Sequence, residues 1–207
     1  RCGSNVASHP TCLEGARCQV TLQKLYDNAT SLSSLMFVRS FLLTQEFVKL
    51  YSQDPLYLMA AIRMCHTTSH IPISASKEDL QLMQNKDIIN LVIRLLYSWK
   101  DPLQHLASEA HRLPKFHHSL TFSGRILSEG YQELEELTKK IASQFDLNMT
   151  DKVDYVLWMG LQSLQSSDEE LCLFAFYNTL RCLLTDLQKI YILLKYLKCQ
   201  DSSDAIC

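Results

Sequence analysis

The residues in this chain that could form covalent bonds or bind a metal are, first, eight cysteines. They lie at positions 2, 12, 18, 65, 172, 182, 199 and 207. Their number is even and no two form a Cys-x-x-Cys pair, whereas zinc sites usually use closely spaced cysteines or histidines. Disulfides formed in an oxidising compartment are therefore the better interpretation. Spacing alone leaves the pairing open, because eight cysteines allow about a hundred connectivities.

Two of the seven histidines, His66 and His70, are four residues apart, a spacing that would place two metal ligands on one face of a helix. They lie in a segment with Ser, Thr and Pro that need not be helical, so solvated loop histidines are predicted. His117 and His118 are adjacent and would point in different directions on a helix. The sequence lacks HExxH, GxSxG, phosphate-loop and nucleotide-binding motifs. We therefore predict no metal site, no cofactor and no enzymatic activity.

The charge and the apolar runs exclude several classes of partner. A net charge of −2 leaves no basic field for nucleic acid or for an acidic membrane. The apolar runs fall short of the roughly 20 residues that span a bilayer, so no membrane insertion is expected. Two N-glycosylation sequons, at Asn28 and Asn148, agree with the cysteines in favouring a secreted, extracellular protein. A first residue of Arg1 rather than Met is what a mature protein without its leader would show.

The chain has only 5 Gly and 5 Pro, and the long stretches without either residue favour helices over short strands. Apolar residues at steps of three and four predict four helical stretches, over about 19–51, 80–99, 120–145 and 167–199. The connections 52–75 and 146–166 are long for a simple bundle. Long connections let consecutive helices run parallel. We therefore predict a single domain, residues 1–207, that is an all-α, up-up-down-down four-helix bundle with two long crossover connections.

Local signals mark where these helices begin and break. Ser76 followed by Asp79 predicts a cap at the start of the second helical stretch, and Ser167 with Glu170 predicts a capping box for the fourth. Pro102 predicts a break or kink in the second stretch, because proline lacks an N–H and clashes with the preceding turn.

Three further features bear on the faces of the helices. Residues 35–43 are apolar nearly all round, which predicts cover on more than one side. Glu135 and Lys139 form an i,i+4 pair that is typical of a solvated face. Gly130 lies inside the third stretch, where glycine costs about 0.5–1 kcal/mol relative to alanine. Two interpretations of Gly130 stay open: a tolerated glycine, or a notch that admits a partner's large side chain.

Several segments of the sequence resemble signatures of the prolactin and growth hormone (somatotropin) family. They are Cys12–Leu22, Cys65–Ser69, Leu96–Leu103, Val156–Leu164, Phe176–Cys182 and Leu194–Cys199. They occur in the family's order along nearly the whole chain. The chain is thereby identified as a diverged prolactin-like protein, similar to those of the placental type.

The resemblance implies a disulfide pattern that spacing cannot supply: Cys12–Cys18, Cys65–Cys182 and Cys199–Cys207. Cys2 and Cys172 have no counterparts in the family's six-cysteine pattern. These two cysteines are expected to pair with each other or to link two chains. Apart from such a disulfide-linked dimer, the expected state is a monomer.

The resemblance also implies a function. Proteins of the family are hormones that bind and dimerise class I cytokine receptors, here of the prolactin-receptor type, through two surfaces. One surface combines the first helix, the first connection and the fourth helix, and Lys189 matches a receptor-contacting lysine there. The other combines the first and third helices and includes a helical glycine that matches Gly130, which favours the notch interpretation.

The sequence departs from the family at positions that bear on receptor choice. Ser34, Phe37 and Gln188 stand where prolactin carries histidines that help metal-dependent receptor binding, and Tyr191-Ile-Leu193 replaces a more polar stretch. These departures support an alternative, a secreted protein of the same fold that binds a different receptor or an extracellular surface ligand without engaging the prolactin receptor. A glycan on Asn28 is expected to hinder one receptor contact.

Overall fold

The computed structural model describes residues 16–51, 65–68, 76–147 and 154–201, with side chains from residue 21 onward. The helices in these ranges are α1 (Ala16–Tyr51), α2 (Lys77–Gln81), α3 (Asn85–Ser98), α4 (Lys100–Ser108), α5 (His117–Ser143), α6 (Leu161–Leu164) and α7 (Glu169–Asp201), with a 3₁₀ turn at Ala110–Arg112. No strand occurs within the described ranges. The predicted all-α class is confirmed.

Contacts between helix ends establish the direction of each helix. Ser119, near the start of α5, donates to Glu46 near the end of α1, with Oγ and Oε1 2.6 Å apart. Tyr26, near the start of α1, donates to Asp201 at the end of α7 over 2.6 Å. Asn85, at the start of α3, also reaches Asp201. Helices α1 and α3–α4 therefore run one way while α5 and α7 run the other, which confirms the predicted up-up-down-down bundle.

The second helical stretch begins as predicted but is not continuous. Ser76 caps α2, since its Oγ accepts from the backbone N–H of Asp79 over 3.2 Å. Gln84 then adopts an extended backbone, with φ −77° and ψ 147°, before α3 begins. The prediction of one helix from Leu80 to Trp99 is therefore wrong between Leu82 and Gln84.

The break near Pro102 is confirmed. Trp99 separates α3 from α4, and Pro102 occupies the first turn of α4. The missing N–H of proline is tolerated in a first turn, because the amides there have no partner within the helix.

The N-terminus of α7 differs from the predicted capping box. Asp168, not Ser167, supplies the cap, because its Oδ1 accepts from the N–H groups of Glu170 and Leu171 over 3.0 and 3.2 Å. A carboxylate placed one residue later reaches two amides that have no helical partner. In the first turn of α7, Leu171 is exposed and Cys172 is buried.

The first connection is attached to α7 at two neighbouring positions. Cys65 and Cys182 form a disulfide with their Cα atoms 5.5 Å apart, which confirms this predicted pair. One turn along α7, Asp186 Oδ2 accepts from Thr67 Oγ1 over 2.6 Å and from Trp99 Nε1 over 2.8 Å. We call these five residues the α7 clamp. It fixes the connection and the α3–α4 junction against one stretch of α7.

Two effects make the α7 clamp a strong constraint. The disulfide joins residues 117 positions apart. By the chain-entropy model, a loop of that length stabilises the fold by about 4–5 kcal/mol. Asp186 is fully buried. A buried carboxylate destabilises a fold unless it is paired and hydrogen-bonded. Moving Thr67 or Trp99 away would break a hydrogen bond to this carboxylate, so both residues are fixed beside Asp186.

Of the remaining cysteines, Cys172 and Cys199 have side chains within the described residues. Cys199 is disulfide-bonded, and its partner lies outside the described residues. Cys172 is a free, buried thiol that donates to the backbone carbonyl of Leu164 over 3.2 Å. The disulfide of Cys172 with Cys2 or with a second chain stays a prediction, since Cys2 lies outside the described residues. The side chains of Cys2, Cys12, Cys18 and Cys207 lie outside the description.

His66 is not the solvated loop histidine that the sequence predicted. Its Nε2 donates to the carbonyl of Ser98 over 2.9 Å, and its ring meets Trp99 edge to face with centroids 5.1 Å apart. Burial lowers the pKa of His66, while the Ser98 carbonyl and the charge of Asp186 oppose that effect. His70 lies outside the described residues.

Removing the carboxylate of Asp186 should show how much the α7 clamp contributes. We expect Asp186→Ala to lower the free energy of unfolding by about 3 kcal/mol or more, because buried donors of Thr67 and Trp99 lose their acceptor. Asp186→Asn keeps one acceptor oxygen and should lose less. Urea unfolding measures both, with Glu129→Ala on the exposed face of α5 as the control. A loss within about 0.5 kcal/mol for Asp186→Ala would contradict the role assigned to this residue.

The buried His66 should make stability depend on pH. The folded state lowers the pKa of His66, so the unfolded chain takes up a proton first as the pH falls. We expect the free energy of unfolding to decrease from about pH 7.5 to pH 5.5, because the ordinary histidine pKa of about 6.5 lies in that window. His66→Gln, which keeps an N–H donor for Ser98, should flatten the profile. An unchanged slope in that variant would refute the assignment.

Candidate interaction surfaces

Lys189, the expected receptor contact on α7, lies beside the α7 clamp. Its Nζ is 3.8 Å from Asp186 Oδ1, and its side chain is 20% exposed. The hydrogen bonds that Asp186 accepts from Thr67 and Trp99 go to the other carboxylate oxygen. Lys189 therefore lies close to a buried carboxylate while part of its side chain stays exposed.

Only part of the stretch Tyr191–Leu193, which departs from the family pattern, is accessible on the surface of α7. Leu193 is fully buried and belongs to the core. Tyr191 and Ile192 are half-buried, Gln188 is exposed, and the ammonium of Lys195 lies 5.9 Å from the centroid of the Tyr191 ring. The outer face of α7 thus offers amide, aromatic and aliphatic contacts. Of the positions that aligned with histidines on α1, Ser34 and Phe37 are also half-buried.

An apolar surface lies on the outer side of α1. Leu35, Val38 and Leu42 recur at steps of three and four and are 69%, 49% and 60% exposed. Phe122 of α5, 46% exposed, meets this stretch of α1 through Arg39, whose guanidinium lies 5.7 Å from the Phe122 ring centroid. We call Leu35, Val38, Leu42 and Phe122 the α1 patch. Adjoining large apolar side chains exposed in this way mark interaction sites.

The α1 patch overturns an expectation from the sequence. Residues 35–43 were predicted to be covered on more than one side, but only one side is covered. Met36, Ser40 and Leu43 face the bundle, and Phe37 is half-buried against the core. The exposed apolar residues of this stretch are Leu35, Val38, Phe41 and Leu42.

Gly130 lies at the contact between α5 and α1 and is buried. A Cβ atom placed there would lie 2.9 Å from Met36 Sδ and 3.1 Å from Met36 Cγ. The space that a notch would offer to a partner is therefore occupied by the chain's own methionine. Gly130 thus lets α5 approach α1 closely, and its role as a notch for a partner's side chain stays a prediction.

Asn28 is exposed on α1, two helical turns before Leu35. Seven residues of helix rise about 10.5 Å and return to nearly the same side, so Asn28 lies in line with the α1 patch. Thr30 of the same sequon is buried, and its hydroxyl donates to the carbonyl of Tyr26 over 2.8 Å. The second predicted acceptor, Asn148, lies outside the described residues.

A groove of about 710 Å³ runs between α4 and α5, and a carboxylate lies on its wall. Glu135 is bound by Lys100 at 2.8 Å and by Lys139 at 2.9 Å, so it joins two helices and is not part of a solvated face as predicted. Burial raises the pKa of Glu135, but hydrogen bonds from both lysines outweigh it and hold the pKa below its usual value. Glu135 is thus an ionised structural group.

Two features central to these surfaces were missed from the sequence. The first is Asp186, although its position one helical turn after Cys182 places it on the face of α7 that carries the predicted disulfide. The second is the α1 patch, although Leu35 and Leu42 fall outside the periodic stripe that contains Met36.

No helix in the described ranges is both long and apolar enough to cross a membrane. The family model of the somatotropin hormone family matches residues 2–207 of the chain. That match covers the bundle, the α7 clamp and both outer surfaces. The chain belongs to the somatotropin hormone family and is a hormone of the prolactin and growth hormone type.

Proposed function

We propose that this protein is a secreted, diverged prolactin-like hormone of the placental type that binds and dimerises a class I cytokine receptor. The observation that carries the proposal is the α1 patch, an exposed apolar surface separate from the outer face of α7. Two distinct surfaces on one hormone are what a complex with two receptor chains requires. The same proposal assigns the protein no catalytic role.

The first receptor surface is assigned to the outer face of α7 with the first connection. The α7 clamp holds Cys65 and Thr67 against this helix, so a receptor would meet a preorganised surface. Preorganisation supports binding because less conformational freedom is lost on association. Gln188, Lys189 and Tyr191 are assigned to this contact.

The second receptor surface is assigned to the α1 patch. Leu35 and Leu42 supply the apolar centre, and Arg39 supplies a charge that can pair at its rim. Gly130, at the close approach of α5 to α1, is assigned to this surface through the resemblance. A glycan on Asn28 would extend beside this surface and weaken the second contact selectively.

The two assignments predict that the two receptor contacts can be separated. We expect the double variant Leu35→Asp/Leu42→Asp to bind one receptor ectodomain normally and to lose the second by about a hundredfold, since two carboxylates would face an apolar contact. Light scattering after size exclusion, with the prolactin receptor ectodomain, reports one-to-one against one-to-two complexes. The control is Leu82→Asp, at a leucine that is 87% exposed elsewhere on the chain.

A double variant that still forms the one-to-two complex would contradict the assignment of the α1 patch. The same titration, before and after enzymatic removal of glycans, tests Asn28: the second affinity should rise and the first should not change. Failure of the wild-type protein to bind this ectodomain at all would reject the receptor, and a panel of class I cytokine receptors would then be measured.

A second candidate function has specific support. Met36 fills the space at Gly130, and Tyr191 and Ile192 make the outer face of α7 more apolar than the family pattern. These features favour a secreted protein of this fold that binds a different receptor or an extracellular surface ligand. Binding to immobilised prolactin receptor ectodomain, with and without zinc, separates the two candidates.

A further inference from the structure

The groove between α4 and α5, which we call the α4–α5 groove, runs along two antiparallel helices. At one end, Lys100 of α4 binds Glu135 of α5 over 2.8 Å. At the other end, Ala107 of α4 lies opposite Gly124 of α5, since a Cβ atom placed on Gly124 would be 4.0 Å from Ala107 Cβ. The rise of α5 between Gly124 and Glu135 is about 16 Å. The groove is therefore elongated, and its volume of about 710 Å³ lies within the range of small-molecule sites.

The floor of the α4–α5 groove is apolar. It is formed by Leu103 and Tyr131, which are buried, by the half-buried Ala107 and by Gly124, which has no side chain. The uncharged polar residues that line the groove, by contrast, are all exposed: Gln104, Thr121, Ser128 and Gln132. An apolar floor with polar groups at its margins is typical of a site for a mainly apolar ligand.

Gly124 keeps the floor open. At Gly130 of the same helix an added Cβ would meet Met36 Sδ at 2.9 Å, but at Gly124 it would meet nothing nearer than Ala107 at 4.0 Å. Close packing therefore explains Gly130 and does not explain Gly124. A glycine within a helix costs about 0.5–1 kcal/mol relative to alanine. What the missing side chain at Gly124 provides is space within the groove.

The charges along the groove differ between its two ends. At the Glu135 end, two cations lie beside two carboxylates: Lys100 and Lys139 both bind Glu135, and Glu136 lines the groove next to it. At the Gly124 end, Arg125 is exposed, and it makes no ion pair within the part of the chain that the structure describes. The Gly124 end thus carries a single positive charge that no carboxylate of the groove offsets.

We propose that the α4–α5 groove binds a fatty acid, with its carboxylate on Arg125 and its alkyl chain along the floor toward Glu135. A guanidinium binds a carboxylate through two parallel hydrogen bonds, and one negative charge matches the one uncompensated cation. An alkyl chain suits a floor that offers no hydrogen-bonding side chain beyond the buried Tyr131. The site is separate from the α1 patch and from the outer face of α7, so it does not rest on receptor binding.

Isothermal titration calorimetry with laurate, kept below its micelle concentration, tests the proposal on the whole protein. We expect saturable binding at one site. Dodecanol, which has the same chain length without the charge, should bind about tenfold more weakly, because it lacks the ion pair with Arg125.

Two variants separate the contribution of the charge from that of the floor. Arg125→Gln should lower the affinity for laurate about tenfold and leave that for dodecanol unchanged. Its control, Lys140→Gln, removes one cation from the same helix outside the groove and should change neither affinity. Gly124→Leu should lower both affinities about tenfold or more, because the new side chain occupies the floor. Circular dichroism checks that this variant is folded.

Several results would overturn the proposal. They are no saturable binding of laurate by the wild-type protein, equal affinities for laurate and dodecanol, or an affinity for laurate that Arg125→Gln does not lower. Laurate that binds at the α1 patch would lose affinity in Leu35→Asp/Leu42→Asp, which should bind it normally, and such a loss would also contradict the assignment. If Gly124→Leu does not fold, the comparison of Arg125→Gln with Lys140→Gln decides.

Discussion

The buried carboxylate of Asp186 is the interaction on which the rest of the structure depends. Within the bundle it accepts hydrogen bonds from the first connection, through Thr67, and from the α3–α4 junction, through Trp99. Lys189 balances its charge from the edge of α7. A charge in this position is stable only if all of these partners stay in place, so one carboxylate sets the relative positions of three parts of the chain.

The disulfide and the carboxylate act on the connection in different ways. The Cys65–Cys182 bond restricts the unfolded chain, and it brings the connection to α7 without determining how the connection lies there. The hydrogen bond from Thr67 determines that orientation. The outer face of α7 therefore has a fixed neighbour. The close contact between Gly130 and Met36 lies on a different helix pair, α5 and α1.

Periodicity and the two long connections were enough to predict the bundle, because a buried stripe on each helix follows directly from residue spacing. The break at Pro102 and the cap at Ser76 could be predicted as well, since each depends on the backbone chemistry of one residue. The Cys65–Cys182 pair came from the resemblance, as spacing leaves pairing open. Periodicity does not distinguish which apolar residues beside the buried stripe of a helix are covered by other helices. The predicted cover of residues 35–43 on more than one side was wrong for that reason.

The surface features were less accessible to sequence reasoning because they depend on neighbours distant in the chain. Gly130 reads equally well as a notch or as a packing position until Met36 is placed opposite it. The burial of the Cys172 thiol and its hydrogen bond to Leu164 of α6 likewise gave no signal in the sequence.

A double-mutant cycle on unfolding free energy, combining Thr67→Val with Asp186→Ala, tests the central role of this carboxylate most directly. Because the two side chains share a buried hydrogen bond to a charged group, their effects should be coupled by about 1–3 kcal/mol. Effects that add within about 0.5 kcal/mol would show that the connection is not held by Asp186 and would contradict the account.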